Sequence, residues 1–171
     1  NVTDVSERLA KDLEKRGIGT IVNKKSIQDL LKQKGMKYYQ SYDASRDVVE
    51  AALKEHPDIQ LVFDIHRDSA ATGTTATING KKYARTWIVL GEANPHYEKN
   101  LRMAITLNNL LEDQYPGLSK GVIGKSSHEG NGLYNQDLSD HALLIEIGGI
   151  SNTMEENYRT ADALADVISQ Y

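Results

Sequence analysis

The chain has no cysteine among its 171 residues. This excludes disulfides, thiolate-held zinc, iron–sulfur centres and a cysteine nucleophile. It does not identify a compartment. Proline occurs three times, and Phe and Trp once each. No apolar run approaches the roughly 18 residues that span a bilayer. The opening stretch, NVTDVSERLAKDLEKRG, is polar with a helical pattern and does not read as a signal peptide. Several active-site motifs are also missing: HExxH, the Walker loop, GxGxxG and the GxSxG nucleophile elbow. Without that elbow, a metal-independent esterase is a weak reading. The formal net charge is −4, whereas nucleic-acid-binding domains usually carry basic excess.

Hydrophobic residues make up 39% and charged residues 26%, enough apolar content for one domain of this length. Nine tyrosines stand out, a residue with an apolar ring and a polar tip. Val2, Val5, Leu9 and Leu13 recur at helical spacing, and Gly17 follows as a stop. IGTIV (18–22) reads as a short strand. Helices are expected near 26–33 and from about 43 to just before Pro57. IQLVFDI (59–65) is the strongest strand signal, apolar enough to predict burial on both faces. Asn79-Gly80 predicts a two-residue hairpin, with the returning strand over about 82–90. A long helix over 97–113 precedes a glycine-rich loop of about 20 residues, 116–133. Loops of that length in compact domains usually have a function or are mobile. ALLIEIGG (142–149) is a last buried strand, followed by a closing helix. The alternation predicts one α/β domain over residues 1–171, with a central, mostly parallel sheet, mixed at its edge and covered by helices on both faces.

In such sheets ligands collect beyond the carboxyl ends of strands. Two positions there carry chemistry. VFDIHRDS delivers His66, Arg67 and Asp68 after one strand, and LLIEIGG delivers Glu146 near the end of another. If Ile145 and Ile147 face the core, Glu146 faces the other way. A carboxylate in so apolar a strand must be paired, hydrated in a cleft or near a metal. A neutral imidazole suits zinc, and a neighbouring glutamate can move protons for a metal-activated water. Arg67 is a candidate to bind anionic substrate, or to pair locally with Asp68. Residues 130–139, GNGLYNQDLS, have polar groups enough to touch substrate. Each of these residues also has a structural reading: a core histidine, a buried salt bridge, a loop brace. His128 and Glu129, in the glycine-rich loop, are a minor candidate for metal.

Four stretches together carry a family pattern: DIHRDS at 64–69, WIVLGEANPHYEKN at 87–100, YNQDLS at 134–139, and LLIEIGGISNTMEENYRTADALA at 143–165. In this order the chain resembles the catalytic domain of the stage II sporulation protein P family, relatives of zinc-dependent N-acetylmuramoyl-L-alanine amidases. The resemblance implies an amidase-like fold. It implies a peptidoglycan hydrolase of endospore-forming bacteria, acting as amidase and cutting peptide cross-links as well, during engulfment of the forespore. By residue match, His66 corresponds to a zinc ligand and Glu146 to the catalytic glutamate. Arg67 and Asn135 are the substrate-binding expectations, and Asn152 braces the turn. The implied partners are peptidoglycan, a sporulation lytic transglycosylase and membrane partner proteins. The implied place is the outer face of the cell membrane at the septum between forespore and mother cell, with an N-terminal tether.

The family pattern begins with a strand ending in His-Thr-His, closely followed by a Glu, upstream of the asparagine-led helix that opens this chain. The expectation is therefore a domain lacking its first strand, with the remaining Zn2+ ligands before Asn1. Such a piece should hold zinc weakly. A non-catalytic peptidoglycan-binding or scaffold module is the alternative.

Overall fold

The computed structural model describes all residues, Asn1–Tyr171. Helix α1 (Val2–Lys15) starts on a capping box in which the Asn1 side chain accepts from Asp4 N–H. It ends beside Gly17, whose φ of +84° closes the turn. Helix α2 (Ile27–Lys34) is capped by Ser26 and stopped by left-handed Gly35, and α3 (Ser41–Glu55) ends ahead of Pro57. Strand β1 (Val62–His66) follows, then β2 (Thr75–Ile78) and β3 (Lys81–Ala84), joined through Asn79 and Gly80, both at positive φ. The predicted hairpin is therefore present, but its returning strand, expected over about 82–90, breaks at Arg85, and the part after the break joins a different sheet. Strand β4 (Thr86–Gly91), α4 (Tyr97–Gln114), β5 (Ser119–Lys125), β6 (Ala142–Ile147) and α5 (Met154–Gln170) complete the chain.

The main sheet has the order β1-β6-β4-β5. β1 pairs parallel with β6, and β4 parallel with β5, while β4 and β6 are antiparallel. The sheet is mixed and mostly parallel, with helices on both faces. The antiparallel joint lies at its centre, not at the predicted edge. The connectivity explains this. After His66 no helix crosses the sheet; the chain passes through the β2–β3 hairpin and re-enters where it left, so β4 must run back. The C-terminal ends of β1 and β6 thus share one edge with the starts of β4 and β5.

Three expectations are corrected. Residues 18–22 form an irregular connector, because no strand lies beside them to pair; Ile18 packs on the core while Ile21 is exposed. The stretch 116–133 contains β5, whose ladder to β4 overrides its glycine content. β1 is not buried on both faces. It is an edge strand, and its five residues are all partly exposed.

The two faces of the sheet differ. One carries Ile88, Leu90, Leu143, Ile145 and Ile147 against α1, α4 and α5, a core of twenty buried residues. The other carries Val89 and Leu144, covered by Tyr134 and by Tyr42 of α3, with only three fully buried members. No helix is long and apolar enough to cross a membrane.

Candidate active site

Successive side chains of a strand alternate between faces. Phe63, Ile65, Ile145 and Ile147 pack on the large core, which turns Asp64, His66 and Glu146 to the thinly covered face. His66 and Glu146 are register partners across β1 and β6, and Trp87 of β4 is the next partner of Glu146. The expected juxtaposition of His66 and Glu146 at one sheet edge is present.

His66 Nε2 lies 2.9 Å from Asp64 Oδ1, and the Tyr42 hydroxyl stands 3.5 Å from the same nitrogen. The Tyr42 ring stacks over the imidazole at 6.2 Å, and Tyr134 meets Tyr42 edge-on at 5.1 Å. Burial works to lower the His66 pKa, but the Asp64 hydrogen bond, its charge and that of Glu146 outweigh it and hold the imidazole above its ordinary value. Burial raises the Glu146 carboxyl, and the Asp68 carboxylate adds to the rise; Lys125, His66 and Lys120 pull it partly back. Burial also drives the Tyr42 phenol upward, followed by the charge of Asp64. A raised carboxyl beside an imidazole can take a proton from water and return it to a leaving group.

The turn after β6 sets this edge. Gly148 has φ +64°, and a Cβ on Gly149 would stand 2.1 Å from the Ala70 carbonyl oxygen, so the two strand ends close tightly only over glycines. Asn152 Oδ1 accepts from Gly149 N–H at 2.7 Å, and its amide donates to Thr75 and Glu156, which makes it a brace of the turn. Asp68 accepts from Ala70 N–H and pairs with Lys120, not with Arg67. Adjacent residues diverge here: Arg67 is exposed and lines a cleft of about 70 Å³ toward α1, with Val2, Val5, His66, Ile147 and Asn157.

Asn135 is nearly buried at positive φ. Its amide donates to the Tyr42 carbonyl and Ser45 hydroxyl, and its Oδ1 lies 3.4 Å from Arg46. Arg46 grips Asp137 with two nitrogens, at 3.0 and 2.7 Å. Gln136 bridges Gly91 N–H and the Val89 carbonyl. The loop that carries Tyr134 is thus stapled to α3 and to β4. His128 is exposed, and Glu129 accepts from Ser126 N–H in the same loop.

No three His, Asp or Glu side chains converge on one point. His66 offers a single imidazole, whose Nε2 faces Asp64, where catalytic zinc takes three protein ligands. The residues of this chain do not by themselves compose a zinc site.

The family model for stage II sporulation protein P (SpoIIP) matches residues 1–169. The chain belongs to this family. Stage II sporulation protein P of Bacillus subtilis (strain 168) is 50% identical over 171 residues, covering 99% of this chain and 43% of the relative. The chain thus spans less than half the length of that SpoIIP relative. No solved structure matches it.

Sequence reasoning misses several residues around this candidate site. Asp64 was visible as the residue two before His66, on the same strand face. Lys120 and Lys125 lie on β5, whose glycines read as loop, so the sequence assigns them no face. Trp87, with Lys120 4.7 Å above its ring, belonged to a strand whose register could not be read. Tyr42 carried no signal, because its approach to His66 depends on how α3 docks.

Proposed function

We propose that the longer protein is a zinc-dependent peptidoglycan hydrolase, an N-acetylmuramoyl-L-alanine amidase that also cuts peptide cross-links, acting at the outer face of the membrane in forespore engulfment. The observation that carries this reading is the pairing of His66 with Glu146 on the open face of the sheet. SpoIIP membership supports it, as does the half-buried, raised carboxyl of Glu146. Glu146 accepts the proton of the attacking water on its carboxylate and then delivers it to the departing amide nitrogen. His66 would hold a zinc ion through one ring nitrogen, the remaining ligands lying outside this chain. The chemistry supplied by bound zinc is an acidified water and a polarised carbonyl. Tyr42 and Tyr134 wall the site and shed water from it. Asn135 serves the site by setting the position of Tyr134, and Arg67 serves substrate from the neighbouring cleft that His66 also lines. A lytic transglycosylase and membrane proteins of the same stage are the proposed partners.

The test uses the full-length protein on labelled peptidoglycan. Glu146→Gln should end release of label, a loss on the order of 10²–10⁴-fold, with zinc still bound. His66→Ala should lose both zinc and cleavage. Wild-type release by Glu146→Gln would sink the mechanism. Retention of the native protein on insoluble wall with no release, even with added zinc, would favour the scaffold reading.

A further inference from the structure

The half-buried cations of this molecule nearly all have partners. Arg8 pairs with Asp162, Arg46 with Asp137, Lys120 with Asp68 and Arg159 with Glu155, while Arg85 donates to the Gly117 and Ser119 carbonyls. Lys125 is the exception. It is partly buried and makes neither an ion pair nor a hydrogen bond through its ammonium. Removing an ammonium from water without a counter-charge is unfavourable, so such a group is normally paired or kept for a ligand.

Its place in the sheet shows where it points. Val89 pairs with Ile123, and Gly91 with Lys125. Val89 belongs to the small cluster with Tyr134 and Leu144, and Ile123 packs against it. Lys125, two residues on from Ile123, stands on that same face. Its partner position on β4 is Gly91, over which the Gly132–Leu133 backbone packs, so main chain and no counter-charge lies there. Its charge is felt at the Glu146 carboxyl. The carboxylate nearest in sequence, Glu129, feels the Lys125 charge but accepts from Ser126 N–H at 2.8 Å and makes no ion pair with the lysine. The face therefore holds a proton-transfer carboxylate and, across the Tyr134–Leu144 cluster, one unpaired cation.

We propose that Lys125 binds a carboxylate of an acidic peptide whose scissile amide lies at Glu146. The proposal rests on the hydrolase reading for the position of the amide. It adds which end of the substrate is charged and what receives it. A peptide lying along the outside of the loop and the Tyr42 and Tyr134 rings that cover Leu144 brings an acidic side chain to the ammonium. The site then selects free acids over their amides. Both form hydrogen bonds, but only the acid neutralises the lysine.

Binding without turnover separates this proposal from the hydrolase reading. Full-length protein carrying Glu146→Gln is titrated with N-acetylmuramoyl-L-alanyl-D-glutamic acid and with its diamide. The acid should bind about tenfold more tightly. Adding Lys125→Met should remove that preference by weakening the acid alone, and Lys125→Arg should restore it. Lys125→Met should unfold no earlier on heating, since the lysine holds no partner in the free protein. Equal affinity for acid and diamide before the lysine is changed would overturn the proposal. So would equal weakening of both ligands by Lys125→Met, or failure of Lys125→Arg to restore the preference. If the native protein cleaves nothing but the Lys125-dependent preference remains, the hydrolase reading fails and the binding site stands.

Discussion

The two faces of one sheet have divided stability and chemistry between them. The face toward α1, α4 and α5 buries leucines, isoleucines, valines and alanines in one continuous cluster, and of the carboxylates on α1 only Asp12 is buried there. The other face has a small apolar patch and, along one edge, Asp64, His66, Glu146, Trp87 and Lys120. Close packing has little tolerance for charge, and a reactive carboxylate needs water on one side. A fold that keeps its buried layer on one side can leave the other thin. Adjacent residues of β6 show the contrast: Leu143 and Leu144 are 1% and 3% exposed, yet belong to different clusters.

That adjacency makes the sharpest test. Leu143→Ala removes the same atoms as Leu144→Ala from the same strand. In the large core the neighbours are held from several sides and the cavity persists, so Leu143→Ala should cost about 3–5 kcal/mol. Over Leu144 the cover is two tyrosines and a loop, which can settle into the space, and the cost should be near about 2 kcal/mol. Activity should reverse the order. Below its melting temperature Leu143→Ala should cleave at nearly the parental rate. Leu144→Ala lets Tyr134 and Tyr42 shift over Glu146 and should lose on the order of 10–100-fold. Urea melts and cleavage assays on both variants give the comparison. Equal losses in both measurements would mean the faces are not separate in function.

How much of this the sequence revealed depended on the face as well. The core helices α1, α4 and α5 were readable because apolar spacing of three and four persists over many turns. His66 and Glu146 were readable because each interrupts an apolar strand, and a polar residue there needs a reason. β5 was not readable: SKGVIGK has two glycines in seven residues, and only its pairing with β4 makes it a strand. That single miss hid Lys120 and Lys125 together. The central antiparallel joint escaped for a similar reason, since strand direction is set by which connections cross the sheet, and periodicity carries no such record. Arg67 reads as a site residue by its neighbours in sequence, but it follows the last residue of β1 and lines the cleft toward α1, which His66 also lines and Glu146 does not.

The smaller test concerns what holds the thin cover in place. Arg46 of α3 grips Asp137 beside Tyr134, and both side chains are less than a third exposed. The Arg46 hydrogen bond holds the Asp137 carboxyl below the ordinary value, with burial opposing and the Arg46 charge assisting. A carboxyl with a depressed folded pKa stabilises fully above its unfolded value and loses that contribution as pH falls through the folded one. Asp137→Asn should therefore cost about 1 kcal/mol at neutral pH. The gap between parent and variant should close as the solution is acidified past the ordinary carboxylate range. Denaturation midpoints measured across that range check the sign. The same variant should lower cleavage modestly, because the pair anchors the loop and touches no substrate. A gap that stays constant into acid would mean the Arg46–Asp137 pair adds nothing to stability, and that Asn135, Gln136 and Tyr134 hold the cover without it.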